Sequence, residues 1–140
     1  MTDITEGMKA PAFDMATADG GRVSLEGLKG KTVVLYFYPK ADTPGCTTES
    51  QDFSALTGEF EAAGAVVVGV SRDPVKKLAR FRAKHDLKVV LASDEPEDVT
   101  LDYGVWVEKK LYGREYMGIE RATFLIGGDG VVRQIGRAHV

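Results

Sequence analysis

One cysteine, Cys46, stands in the run TVVLYFYPKADTPGCTTESQ over residues 32–51. Residues 32–38 are mostly β-branched, aromatic or leucine and read as a buried strand. Pro39 stops that strand because it has no N–H for the ladder. After the short loop Lys40-Ala41-Asp42, Thr43 reads as a helix N-cap with Pro44 at the first helical position. Cys46 then falls in the first helical turn, where unpaired N–H groups and the positive end of the helix dipole favour a thiolate. A free cysteine is ordinarily a small buried hydrophobe. Cys46 does share an apolar stripe with Phe53, Leu56, Phe60 and Ala63. Its place just past the carboxyl end of a central strand, where open α/β sheets put their ligands, reverses that expectation. The chemistry expected is that of a reactive thiol.

The elements that must position this thiol read as a single α/β domain over residues 1–140. A leading β-hairpin is expected from residues 12–16 and 22–25 around Asp19-Gly20-Gly21. The helix from Pro44 runs to about Gly64, a natural residue to follow a helix end. Residues 65–71 (AVVVGVS) form a second buried strand, so that strand, helix and strand make a right-handed βαβ unit. Asp73-Pro74 repeats the cap-plus-proline signature, and Leu78 and Phe81 face the next helix inward. A third strand is expected over 88–92, a helix over 95–103 and loop or irregular edge over 105–118. A terminal hairpin follows from 123–126 and 131–135, joined by Gly127-Gly128-Asp129-Gly130. This is a mixed central sheet flanked by helices.

Composition narrows the function classes. The 140 residues are 44% hydrophobic and 28% charged, with a net charge of −3. Lysines and arginines are scattered, which argues against a nucleic-acid partner. No apolar run approaches the ~20 residues of a membrane span, and the N-terminus lacks a secretory pattern. A single cysteine excludes an internal disulfide and points to a reducing compartment, the cytoplasm. His85 and His139 lie far apart and make a poor metal set with one cysteine. No cofactor is called for.

Pro39, Thr43 and Cys46 follow the spacing of a proline, a threonine four later and a cysteine three after that, which resembles the peroxiredoxin active-site pattern. The string YFYPKADTPGCTTES, with Tyr103-Gly104-Val105-Trp106 and the segment GIERATFLI at 118–126, is similar to the peroxiredoxin Q group, also called bacterioferritin comigratory proteins. The likeness extends from about Gly7 to Gly136. It implies a thioredoxin-like fold and reduction of hydrogen peroxide and organic hydroperoxides, with Cys46 oxidised to sulfenic acid. It also implies that Thr43 and Arg121 hold the peroxide oxygens and that Pro39 shields the thiolate. Two departures stand out. Many members carry a resolving cysteine five residues after the first, where this chain has Gln51. Members also usually continue past this end, so the chain reads as either trimmed or naturally short there.

Ionisation alone does not make such a thiol fast. Lowering a thiol from ~8.5 to ~6 raises its thiolate fraction at pH 7 about thirtyfold. Nucleophilicity falls with basicity, and a slope of ~0.45 takes back about thirteenfold. The remaining acceleration must come from donors aimed at the breaking O–O bond: the Thr43 hydroxyl, the Cys46 N–H and the Arg121 guanidinium. Arg121 taken alone would be a surface charge, and Thr43 a cap as well as a ligand. Glu49, one turn beyond Cys46, either orients Arg121 or simply stabilises the helix dipole. Tyr38 and Trp106 either pack or line the pocket. Without a second cysteine, an external thiol must resolve the sulfenic acid: thioredoxin, glutaredoxin or a small thiol. The protein acts as a monomer or weak homodimer. The competing readings are a redox-sensing or chaperone-like interaction module using the same cysteine, and a binding domain whose cysteine is inert.

Overall fold

The computed structural model describes residues 4–95 and 99–137. Strands β1 (Asp14–Thr17) and β2 (Arg22–Ser24) form the leading hairpin, and a 3-10 turn over Glu26–Leu28 delivers the chain into β3 (Thr32–Phe37). Helices α1 (Pro44–Ala55) and α2 (Thr57–Ala62) precede β4 (Ala65–Ser71), α3 (Val75–Lys84), β5 (Val90–Ser93) and α4 (Val99–Asp102). Strands β6 (Trp106–Leu111), β7 (Arg114–Ile119), β8 (Ala122–Ile126) and β9 (Val132–Arg137) complete the described chain. Seven strands make one mixed sheet in the order β2-β1-β5-β4-β3-β8-β9, with β6 and β7 apart as a two-stranded ribbon. β3 runs parallel to β4, and β4 to β5, whereas β8 pairs antiparallel with β3.

Alternation along β3 divides the core. Val33, Leu35 and Phe37 point to one cluster with Val68, Val70, Phe124 and Tyr103. Val34 and Tyr36, with Tyr38 just beyond the strand, point to the other, with Cys46, Val67, Leu78, Phe81 and Leu91. Gly69 lies opposite Tyr36 in the ladder, and a Cβ there would collide with the Tyr36 ring carbon Cζ. That bare position gives the ring its room. The Tyr36 hydroxyl meets Ser50 Oγ of α1 at 2.9 Å, so helix and sheet are joined by a buried hydrogen bond.

Several expectations change in detail. The strand expected to Tyr38 ends at Phe37. The long helix expected from Pro44 to Gly64 is two helices broken at Leu56 (φ −97°, ψ 3°). Just after the break, the Thr57 hydroxyl back-bonds to the Phe53 carbonyl at 3.3 Å, a contact that bends helices. Leu56 therefore leaves the apolar stripe and is 42% exposed, and Ala63 is exposed as well. Gly64 follows the helix end in the left-handed region (φ 76°) as expected. Asp73 does not cap α3. Pro74 occupies that position, and the Asp73 carboxylate turns back to other partners. The third strand lies at Val90–Ser93 rather than 88–92, and of the helix expected over 95–103 only α4 is observed, residues 96–98 lying outside the described set. The largest correction is 105–118. It is the ribbon β6–β7, closed by Tyr112 (φ 51°) and Gly113 (φ 77°), the pair of positive φ angles that a two-residue hairpin turn requires.

Candidate active site

Thr43 holds the N-cap position of α1 (φ −93°, ψ 154°), Pro44 follows, and Cys46 is the third helical residue. In any α-helix the first N–H groups have no intrahelical acceptor, so the opening turn is a donor surface. The Thr43 carbonyl takes the Thr47 N–H at 2.8 Å. Its hydroxyl, expected to cap the helix, instead donates to the Lys40 carbonyl at 2.8 Å. The reason is local. Asp42 lies in the left-handed region (φ 62°), which folds the chain back until Lys40 faces Thr43. With its proton engaged, the hydroxyl expected among the donors to the peroxide instead keeps lone pairs to offer.

Arg121 is brought here by the antiparallel ladder. Ala122, the first residue of β8, pairs with Phe37, the last of β3, so residue 121 stands at the same sheet end as the start of α1. A Cβ on Gly45 would lie 3.4 Å from Arg121 Nη2, so the guanidinium rests on the bare part of the first turn. Nη2 donates to Cys46 Sγ at 3.2 Å and Nη1 to Glu49 Oε1 at 2.6 Å. Glu49 sits three residues after Cys46 on the same helix face, which puts its carboxylate within reach of the guanidinium. Cys46 is buried, 1% exposed. It has aromatic and aliphatic packing on one side and a cation on the other.

The charges respond to this sharing. Burial lowers the Arg121 titration, but the bond to Cys46 and the Glu49 charge outweigh it, and the guanidinium is held firmly charged. Burial raises Glu49 above the usual carboxylate range, and Arg121 offsets this only in part. Beside them opens a groove of about 480 Å³ lined by Gly45, Thr48, Glu49, Asp52, Phe53, Leu56 and Arg121.

The other expected residues fall at varying distance from this centre. Pro39 is exposed at the end of β3. Tyr38 packs in the Cys46 cluster against Tyr36 and Phe81. Trp106 does not belong to that cluster. It packs against the opposite one, with the Arg72 guanidinium 4.6 Å from its ring centroid. His85 Nε2 meets Asp42 Oδ1 at 2.9 Å, and His139 lies outside the described residues. Asp73 was missed as a neighbour of the site. Its Oδ2 accepts the Ala41 N–H at 2.7 Å across 32 positions of sequence, a contact no local pattern announces.

The sequence profile of the AhpC/TSA family matches residues 7–135. The chain belongs to the AhpC/TSA family. Peroxiredoxin Bcp of Bacillus subtilis is 46% identical over 127 residues, covering 91% of this chain and 81% of that protein. Peroxiredoxin Bcp of Xanthomonas campestris is 44% identical over 139 residues, covering 98% and 87%. Among solved structures, the Xanthomonas campestris bacterioferritin comigratory protein, studied for alkyl peroxide reduction in trapped intermediate and ligand complexes, superposes with a TM-score of 0.86 at 42% identity, covering 91% of this chain and 82% of that one. A cysteine-to-serine mutant of Xylella fastidiosa PrxQ gives 0.92 at 33% identity, covering 100% and 89%. This AhpC/TSA member thus falls in the peroxiredoxin Q, or bacterioferritin comigratory, group. Its fold is thioredoxin-like, and it is a peroxiredoxin, a thiol-dependent peroxidase.

Proposed function

We propose that Cys46 is the peroxidatic nucleophile, reducing hydrogen peroxide and organic hydroperoxides in a one-cysteine cycle. The observation that carries this reading is the Arg121 fork, with one nitrogen on the sulfur at 3.2 Å and the other fixed by Glu49 at 2.6 Å. The anionic sulfur attacks the hydroxyl-bearing oxygen of the hydroperoxide. An S–O bond forms as the O–O bond breaks, sulfur gives two electrons, and the departing alkoxide or hydroxide takes a proton to leave as alcohol or water. The product on the enzyme is Cys46 sulfenic acid.

Each neighbour has a part in that step. Thr43, its proton engaged by Lys40, accepts the O–H of the attacked oxygen. The first-turn N–H groups and Arg121 donate to the oxygen on which charge develops. Glu49 is a positioning residue, keeping the guanidinium over the sulfur. Pro39 forms an apolar lip without an N–H to compete, and Tyr38 supports the sulfur from beneath. Phe53 and the exposed Leu56 in the groove beside Arg121 suit the carbon chain of an organic hydroperoxide.

Because the sequence holds one cysteine, the sulfenic acid is released by two external thiols in turn, the first forming a mixed disulfide and the second freeing the enzyme. Thioredoxin, glutaredoxin and small thiols fit equally. All named side chains come from one chain, so a monomer or weak homodimer carries the whole site, and thiol recycling suits the cytoplasm. The reading is tested by intact mass after near-stoichiometric peroxide. The protein gains one oxygen on Cys46, Cys46→Ser gains none, and added thiol sustains turnover. A wild-type protein that takes up no oxygen refutes it.

A further inference from the structure

The carbonyl that engages the Thr43 hydroxyl and the N–H that meets Asp73 belong to the same peptide group, between Lys40 and Ala41. Asp73 Oδ2 accepts the Ala41 N–H at 2.7 Å, and the Lys40 oxygen accepts the Thr43 hydroxyl at 2.8 Å. We propose that Asp73 is a positioning residue for the peroxidase step, orienting the Thr43 hydroxyl through the Lys40–Ala41 peptide. The proposal rests on the peroxidase reading above and adds to it a residue outside the peroxide pocket.

The geometry leaves that peptide little freedom. An amide is planar, so fixing its N–H fixes its carbonyl. Ala41 is 2% exposed, and water cannot replace a carboxylate there. The carboxylate is itself held. Oδ2 also accepts the Ser71 hydroxyl at 2.8 Å, and Lys77 Nζ lies 3.2 Å from Oδ1. The Asp73 carbonyl takes the Ser93 hydroxyl at 2.7 Å, which ties it to β5. An anionic acceptor on the N–H polarises the amide and strengthens its carbonyl as an acceptor. The hydroxyl proton of Thr43 is thereby drawn inward, and its lone pairs face the hydroperoxide. The intervening residue, Asp42, is a non-glycine at φ 62°, and its carboxylate is met by Lys84 Nζ and His85 Nε2, both at 2.9 Å. The loop is thus gripped from both ends of α3.

The test is a double-mutant cycle on the second-order rate of Cys46 oxidation by hydrogen peroxide, followed by rapid-quench intact mass, with iodoacetamide alkylation as a control that needs no Thr43. Asp73→Ala is expected to slow oxidation about tenfold, the effect of one lost charge-assisted bond, and alkylation less than about twofold. In a Thr43→Val background the same change produces no further slowing. Asp73→Asn, which keeps an acceptor for the Ala41 N–H, slows oxidation about threefold, and this too vanishes with Thr43→Val. Asn carries the test if the alanine variant does not fold. Wild-type oxidation rates in the Asp73 variants overturn the proposal. So does an undiminished loss in the Thr43→Val background, or equal loss in alkylation. In each of these cases wild-type oxidation stands, and with it the peroxidase reading. Only a wild-type protein inert to peroxide removes both.

Discussion

Replacing Arg121 by lysine separates the two things a guanidinium supplies at this site, its charge and its fork. A cation ~4 Å from an anion at an effective dielectric of ~20 contributes about 4 kcal/mol, and a lysine ammonium in the same place retains most of it. The fork is different. Nη1 and Nη2 serve Glu49 and Cys46 at once, 2.6 and 3.2 Å away. A single Nζ cannot hold both lines, so Arg121→Lys forfeits at least one charge-assisted hydrogen bond, about 1.5–3 kcal/mol. That corresponds to a roughly 10- to 150-fold slower oxidation of Cys46. Arg121→Ala loses the charge as well. With the arginine side chain 29% exposed, solvent screening trims the Coulombic share, leaving a loss of roughly 1,000-fold or more. Peroxide oxidation followed by intact mass, at fixed pH and ionic strength, measures all three rates. A lysine variant within about twofold of wild type refutes the fork, because then the charge alone suffices. An alanine variant at the wild-type rate removes Arg121 from the chemistry.

Other consequences are as direct. Glu49, raised by burial, takes up a proton in the folded protein while the unfolded chain's carboxylate is still ionised, so its contribution to stability falls as pH rises through that window. On acidification the same protonation frees Arg121, so the oxidation rate drops along an acidic limb that Glu49→Gln lacks. Superimposable pH–rate profiles count against this. Tyr36→Phe leaves the Ser50 hydroxyl buried without its partner and costs about 1–3 kcal/mol in urea unfolding, whereas Tyr36→Phe/Ser50→Ala costs less than the sum of its parts. Gly69→Ala forces the Tyr36 ring from its place and lowers stability by about 1–3 kcal/mol, read as a lower melting temperature.

The parts of the fold that could be read from residues are those where local chemistry and burial agree. The runs at 32–37 and 65–71 are apolar and β-branched because both faces of those strands are covered, and the glycine-rich 127–130 segment turns between two alternating strands. The ribbon at 106–119 escaped because its outer residues, such as Glu108, Lys110, Tyr112 and Glu115, face solvent and leave no apolar period, although Tyr112-Gly113 carries the turn. The break at Leu56 has no glycine or proline to mark it. At the site, Thr43 and Cys46 stood out through their spacing from Pro39, Arg121 only through the likeness of its segment to peroxiredoxin Q, and Glu49 as a candidate through helical spacing. Trp106 was not excludable, since which sheet face receives it depends on pairing. Asp73 looked like a cap because an Asp-Pro pair before a helix is ordinarily one. Only the three-dimensional return of the 40–43 loop gives its carboxylate a better donor.

Because the guanidinium arrives from residue 121 by way of the β3–β8 ladder, the thiol and its activating partner are strangers until the second half of the chain has docked. A chain in which β8 has not paired with β3 keeps the first-turn N–H groups of α1 but lacks the cation beside the sulfur. Full sensitivity to oxidant therefore waits on the β3–β8 pairing, and the speed with which Cys46 reacts reports how many molecules in a preparation have formed it.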